Sequence, residues 1–341
     1  MKINVIIGAK KGAFDATSGC INDISLTSYR QGKASELIFT VMRNVGTFVE
    51  GDCVQLLIND EVIFQGFVFT KERDKNHFIK VTAYDQLRYL KNKDTYNYTY
   101  KKASDVVMMI VNDFKLKYGA IDNSKYVIAK RLDENKTLFD IILNACDITY
   151  KNTGNRFILF DKGGRLYFRN EKDLKLDFSI AINDGSLIDF NCKTDINDDT
   201  YSKVKVFQKD DRKKIYKSYL YENSDGISNF GVLQYFEKLP TEYNEFQVKS
   251  YAQNILKEKC RVKRNLSIKC LGLGQGEHNI RAGNSIFIDK LDIGEELLNG
   301  YYVITKCKHS FENNLHTIEM EFWHKLGGVF WLTISNIFVL N

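Results

Sequence analysis

A strand plan that occurs twice, near opposite ends of the 341-residue chain, constrains the fold more than any single residue does. The first copy runs Leu37, Phe39, Val41 in alternation, then Gly51-Asp52-Cys53-Val54-Gln55-Leu56, then Phe64-Gln65-Gly66-Phe67-Val68, then Ile79-Lys80-Val81-Thr82-Ala83-Tyr84. The second runs Leu266, Ile268, Cys270, then Gly283-Asn284-Ser285-Ile286-Phe287-Ile288, then Leu298-Asn299-Gly300-Tyr301-Tyr302-Val303, then Ile318-Glu319-Met320-Glu321-Phe322. Each copy alternates apolar and polar residues at period two, restarts at a Gly-Asp or Gly-Asn turn, and carries a glycine one residue before an aromatic-rich strand. Two small β-barrel modules of similar plan are the expectation. Gly51 and Gly66 are 15 positions apart and Gly283 and Gly300 are 17, so the copies are not of one length.

A chain of this length exceeds what one core usually supports, so several subdomains are expected. Aromatics at 13%, with 19 Tyr and 23 Phe, suit pleated, half-buried strands, and the single proline, Pro240, argues against a long proline-rich linker. Between the copies the period changes. Ser104 can cap a helix whose stripe is Val106, Val107, Ile110, Val111 and Phe114. A second helix follows Asn135, with Leu138, Ile141, Ile142, Ala145 and Ile148 on one face and Gly154 as its stop. Phe157–Phe160 and Leu166–Phe168 flank Asp161-Lys162-Gly163-Gly164 as a hairpin. Ser202–Leu220 reads as a strand pair, Asn223-Ser224-Asp225-Gly226 as a polar loop, and Val248, Tyr251, Ala252, Ile255 and Leu256 as a third helix. The fold class is therefore α+β, mainly β. Residues 1–95 are the first barrel, 96–175 an inserted α/β subdomain, 176–262 a strand pair and helix that complete the second barrel, and 263–323 the second barrel itself. The apolar run from Val329 to Leu340 is too short to span a bilayer, and 324–341 is set apart as a non-native tail.

The formal charge of +6 arises from 49 basic against 43 acidic residues, without the concentrated stripe of a nucleic-acid binder. Lys257, Lys259, Arg261, Lys263 and Arg264 form the densest basic cluster, which fits a solvated helix C-terminus. No specific nucleic acid and no membrane are expected as partners. Seven isolated cysteines (Cys20, Cys53, Cys146, Cys192, Cys260, Cys270 and Cys307), with no CxxC pair, fit free thiols in a reducing compartment, so synthesis and folding in a cytoplasm are expected, which the family resemblance given below makes a bacterial one.

The signatures of catalysis do not occur: there is no GxSxG, HExxH or Walker loop. Gly272-Leu273-Gly274-Gln275-Gly276 mimics half of a dinucleotide fingerprint but leads into no helix able to receive a pyrophosphate. Asp195-Ile196-Asn197-Asp198-Asp199 begins like a calcium loop, yet Thr200 and Val206 stand where glycine and glutamate are needed. His309 and His316 are expected directly across a hairpin, with Cys307 on the face of His309. Those are fewer ligands than a structural zinc site takes, and Glu319 falls on the opposite face. No catalytic, cofactor or metal residue is assigned, and the chain reads as a non-enzyme.

The stretch Val81-Thr82-Ala83-Tyr84-Asp85-Gln86-Leu87-Arg88-Tyr89-Leu90-Lys91-Asn92, followed by Ala103-Ser104-Asp105-Val106-Val107, resembles the phage tail baseplate hub family typified by the XkdQ and YqbQ proteins. Thr137–Ile142, Lys257–Ser267, Ile280–Ile286, Gly300–Val303 and His309–Phe311 are similar to that family too, and the likeness covers roughly residues 1 to 323. Asn284, where the family commonly has Asp, and the apolar tail depart from it. The resemblance implies a structural hub of a contractile phage tail or phage-tail-like bacteriocin. In it a homotrimer forms a pseudo-hexameric ring between the six-fold tail tube protein and the three-fold central spike protein, among other baseplate proteins. Two similar modules in one chain suggest the same geometry independently, because a trimer then mates with a six-fold partner. A baseplate-associated peptidoglycan hydrolase is the alternative; it needs a pair of acids in a cleft.

Overall fold

The structure, a computed structural model, describes the chain apart from residues 11, 22–23, 182–184, 211–213, 242, 273–275, 295–296, 313–314, 326–337 and 341. Two compact units are present, one of Met1–Cys146, Asn155–Asn191 and Leu266–Leu326, the other of Asp147–Gly154, Cys192–Asn265 and Gly327–Asn341. The architecture is α+β and mainly β.

The repeat organises the first unit. Strands β1 (Glu36–Met42), β2 (Cys53–Ile58), β3 (Glu61–Arg73) and β4 (Phe78–Tyr84) form the first copy. Strands β5 (Lys263–Leu271), β6 (Ser285–Asp292), β7 (Leu297–Glu312) and β8 (Leu315–Lys325) form the second. Within each copy the first strand pairs with the last and the second with the third, giving β1-β4-β3-β2 and β5-β8-β7-β6, antiparallel throughout. The register agrees as well. Leu37, Phe39 and Val41 lie opposite Ala83, Val81 and Ile79, as Leu266, Ile268 and Cys270 lie opposite Phe322, Met320 and Ile318, and all twelve side chains are buried. Alternation places one face of each strand in a core, and a slip of one residue would expose the whole set.

The glycine turns match in detail. Gly51 and Gly283 adopt φ of 91° and 92°, a region that favours glycine. Val49 N–H donates to the Asp52 carboxylate at 2.7 Å, and Arg281 N–H donates to the Asn284 amide oxygen at 3.1 Å. Gly51 N–H then bonds Val68 O, and Gly283 N–H bonds Ile304 O, both at 2.8 Å. Asn284 thus replaces Asp at no loss, since only an acceptor oxygen is required. The glycines Gly66 and Gly300, aligned by sequence, are not counterparts. Val54 lies opposite Gly66, but Ile286, equally placed after its turn, lies opposite Tyr302, because the β6–β7 hairpin is longer.

Each copy also has two leading strands, in the same chain order. Ile3–Ala9 pairs with β2 and Ile24–Tyr29 with β1; Lys175–Ala181 pairs with β6 and Leu187–Asp195 with β5. One difference is that Ile3–Ala9 runs antiparallel to its neighbour and Lys175–Ala181 runs parallel. Closed barrels do not result, for among the described residues no sheet closes. Ile24–Tyr29 gives its second edge to β7 of the other copy, and the two modules become one 13-stranded sheet. The first module still wraps a single core that includes Val5, Ile7, Phe39, Val54, Leu56 and Val81.

Helices α1 (Ala103–Asp113) and α2 (Leu138–Thr153) follow the first copy. Ser104 is not the cap of α1: Lys102 holds that position, Asp105 accepts from its N–H at 2.9 Å, and buried Ser104 donates its own N–H to the Ser124 hydroxyl at 3.1 Å. Thr137 Oγ1 accepts from Asp140 N–H at the start of α2, and Gly154, at φ 71°, ends it. The predicted hairpin forms from Phe157–Lys162 and Arg165–Asn170, turned by Gly163 and Gly164 at φ 58° and 79°.

In the second unit the strands run in the order Gln234–Leu239, Lys203–Asp210, Ile215–Glu222 and Phe338–Leu340. The segment from Ser202 to Leu220, expected in the second barrel, therefore lies in a separate sheet. Asn223–Gly226 is not a loop but the start of α3 (Ser224–Phe230), with the Asn223 side chain accepting from Gly226 N–H. Helix α4 (Glu245–Lys259) buries Val248, Tyr251, Ala252, Ile255 and Leu256 against Val204, Val206, Tyr219 and Tyr221. Most of the unit is an insertion between the second and third strands of the second module. Of the apolar tail, residues 326–337 lie outside the described residues.

Candidate functional site at the junction of the repeats

Three segments far apart in sequence meet in a small cavity of the first unit: the turn after β4, the Phe157–Asn170 hairpin, and the turn before β6. Asp85, 1% exposed, caps the short helix Gln86–Lys91 by accepting from Leu87 N–H at 2.9 Å, and it also accepts from Ser35 N–H at 2.9 Å. Gln86 clasps the next segment: its amide donates to Lys117 O at 2.9 Å and to the Asp161 carboxyl at 2.7 Å, while Lys117 N–H donates back at 3.1 Å. Asp161 accepts Gly164 N–H at 2.8 Å. Arg281, two residues before Gly283, lays its guanidinium 3.0 Å from the centre of the Phe160 ring.

Two carboxyls and one guanidinium out of water cannot all be charged without residual cost. Burial pushes the Asp85 carboxyl up to about 6, against the donors from Ser35 and Leu87. Burial, then the neighbouring Asp85 charge, pushes Asp161 up to about 8. Burial lowers Arg281 to about 9, with both carboxylates opposing, so it remains a cation at neutral pH. One proton held by the two acids leaves the cluster neutral. At the rim, Glu61 accepts from Asn279 at 3.3 Å and lies 3.4 Å from His278 and 3.7 Å from Lys162, linking the same segments.

A second pin joins the same parts. Arg30, just after Ile24–Tyr29, forms an ion pair with Glu171 at 2.6 Å, the side chains 6% and 4% exposed. Trp323 near the end of β8 receives two guanidinium groups, Arg30 and Arg156, each 4.6 Å from its ring. Sequence reasoning missed both pins, although Asp85 and Gln86 stand inside the segment that carried the family resemblance.

The residues weighed from sequence are placed as follows. His316 lies opposite Phe311, not opposite His309, yet the rings stack and His309 Nδ1 is 2.9 Å from His316 Nε2. His309 Nε2 is 2.6 Å from Ile280 O and 3.4 Å from Cys307 Sγ, so both ring nitrogens have protein partners. Burial lowers each histidine to about 4, which keeps both neutral. Among the described residues no group of three or more His, Cys, Asp or Glu is arranged to hold a metal. Lys259 pairs with Asp199 and faces the rings of Tyr201 and Tyr235, which breaks up both the basic cluster and the calcium-like run. Gly272 donates to His316 O; residues 273–275 of the glycine run lie outside the described residues. Cys270 and Cys307 are buried thiols, the other five cysteines half-buried. Among the described residues no helix is long and apolar enough to cross a membrane.

The fold is that of tail proteins: the 43 kDa tail protein of prophage MuSo2 from Shewanella oneidensis matches 94% of this chain and 98% of its own, with a TM-score of 0.68 at 10% identity. In sequence the chain belongs to the YQBQ-like family, which it matches over residues 24–322. Bacillus subtilis (strain 168) YqbQ is 30% identical over 275 residues, 80% of this chain and 81% of the relative. The phage-like element PBSX protein XkdQ of the same strain is 29% identical over 306 residues, 87% and 90% respectively.

Proposed function

We propose that this chain is a structural hub of a contractile tail baseplate, a trimeric adaptor that joins a six-fold tail tube to a three-fold central spike. The observation that carries the reading is the duplication itself: one polypeptide holds two modules with the same strand order, chain order and turn hydrogen bonds. In a trimer such modules imitate a six-fold ring, so one object meets partners of both symmetries. Domain roles follow, with 1–95 and 263–323 supplying the paired modules, 176–262 lending its first strands to the second module, and 96–175 with the rest of 176–262 decorating them. The pins at Arg281 and Arg30 hold the modules of a chain at one fixed spacing, which a ring under contractile load requires. The parent particle is an infectious phage or a phage-tail-like bacteriocin.

The rival reading, a peptidoglycan hydrolase, draws on the Asp85 and Asp161 pair. Both acids are engaged by backbone N–H groups and Asp85 is 1% exposed, a poor arrangement for attacking a glycan strand. A reconstruction of the purified particle tests the adaptor: three copies between tube and spike are expected. Six copies, or a position away from the axis, would overturn it, and a clearing band in a peptidoglycan zymogram would restore the hydrolase.

A further inference from the structure

We infer that the outer face of the sheet in the second unit docks a partner protein whose matching surface is acidic and apolar. The inference goes beyond the adaptor reading, from which it takes only that the chain works inside a tail particle.

Helix α4 covers one face of that sheet, packing on Val204, Val206, Tyr219 and Tyr221. Strand alternation sends the residues between them to the other face. Register sets them in rows: Phe236, Lys205 and Leu220 lie side by side, then Lys238, Phe207 and Ser218, with Lys209 opposite Tyr216 beyond. At the other end Lys203 stands between Gln234 and Glu222 and pairs with the glutamate at 2.8 Å. Phe236 is 57% exposed and Tyr216 54%. Along the sequence the lysines are merely the polar half of an alternation. The fold gathers four of them, with one glutamate, around Phe207, Phe236 and Leu220.

Lysines on exposed strands guard a sheet against aggregation, and that need accounts for the charge. It does not account for Phe236 and Phe207, since polar side chains there would guard better. Large apolar groups ringed by one sign of charge mark a surface that is covered in use. The cover has to bring negative charge, because Glu222 is already matched by Lys203, while Lys205 and Lys238 stand in rows that hold no acid among the described residues. Single-stranded nucleic acid is the poorer fit. Bases stack on ring faces, yet the Lys209 ammonium lies 5.8 Å from the centre of the Tyr216 ring, and Leu220 and Glu222 suit neither bases nor phosphates. At ordinary strand spacing the three strands span about 14 Å by about 23 Å, about 300 Å², well under the roughly 800 Å² per partner of a stable complex. The face is therefore one of several contacts that hold the partner, and it is occupied inside the assembled particle.

Amine footprinting and carbodiimide coupling test this on the free chain and on the same chain in purified tail particles. Acetylation of Lys205 and Lys238 should be about tenfold slower in the particle, the fold-change of about 1.4 kcal/mol. The carbodiimide, which joins an amine to a carboxylate in contact with it, should couple these lysines to Asp or Glu of a different protein. Equal acetylation in the two states overturns the inference. So does coupling to the acids of a second copy, protection that nuclease treatment removes, or protection with no coupled carboxylate. Phe236→Ser, at an exposed position, should leave the melting of the free chain and its entry into particles unchanged while cutting the coupled product at Lys238 about tenfold. Undiminished coupling in that variant overturns docking through this face. Coupling to an acidic partner in a particle that lacks three copies on the axis overturns the adaptor reading and leaves this inference standing; a particle without the chain overturns both.

Discussion

Asp161 shares its cavity with a second carboxyl and one guanidinium, and its protonation sets a measurable pH dependence. Its folded value of about 8 lies above that of a free carboxyl, so its contribution to stability is complete below the unfolded value and is lost as pH rises through about 8. Asp85, raised to about 6, acts in the same direction over a lower window. His309 and His316 act oppositely: held near 4, they contribute above the ordinary histidine value and lose that contribution as pH falls toward 4. Between pH 7.5 and 8.5 the histidines are neutral in both the folded and the unfolded chain and Asp85 is ionised, and the wild-type chain should lose stability while Asp161→Asn should not. Urea denaturation at the two pH values decides it, and equal slopes for both proteins would rule the account out. The Arg30–Glu171 pair permits a second test, since a buried charge without its partner costs more than the pair is worth. Glu171→Ala should destabilise by about 3–5 kcal/mol, and Arg30→Met combined with Glu171→Leu should recover much of that loss in a double-mutant cycle.

Among the elements, β3 and β7 do most to define the modules, because within its own module each pairs with one strand along its first half and another along its second. Gly66 sits where β3 passes from one partner to the other. A Cβ there would overlap the Tyr84 carbonyl oxygen and the Phe64 ring, and Gly66→Ala should cost about 1–3 kcal/mol, read as a lowered denaturant midpoint at unchanged m-value. An unchanged midpoint would show that β4 shifts freely, contrary to the packing. The four strands of each copy were legible in sequence because one face of each is buried and the other is not, as in Leu37, Phe39, Val41 and Leu266, Ile268, Cys270. The leading strands were largely not. Ile24–Tyr29 is paired on both edges and Ser25, Thr27 and Ser28 blur its alternation, while Leu187–Asp195 is mostly exposed and reads as a polar linker. Nor could sequence show that Asp85, Asp161 and Arg281 converge, since no local pattern marks a contact among residues so far apart. The histidine pair was half legible: the hairpin was expected, but a register displaced by two positions turned a directly opposed pair into a stacked diagonal one.

At the scale of the whole molecule, the second module is interrupted and the first is not. Ile24–Tyr29 and β1 are separated by residues 30–35, whereas Leu187–Asp195 and β5, neighbours in the same sheet, are separated by most of the second unit. Leu271 N–H bonds Ser186 O at 2.8 Å, so the two strands run antiparallel, with Asp195 and Lys263 at the same end. A tight turn can close that end. Removing residues 196–262 and joining Asp195 to Lys263 through a short Asn-Gly turn should therefore leave both modules paired, since among the described residues the core around Phe39, Leu56 and Val81 includes none from 196–262. The loss falls on the end of α2, where Lys151 pairs with Glu237 at 3.6 Å and covers the Tyr251 ring at 4.9 Å. That helix end should fray, lowering the melting temperature by about 2–4 °C for each kcal/mol lost. Hydrogen exchange across β1–β4 and β6–β8 should stay as slow as in the intact chain. If cooperative unfolding disappears on removal of the insertion, the repeated module is not the folding core, and the pins at Arg30 and Arg281 cannot hold the two copies in register without it.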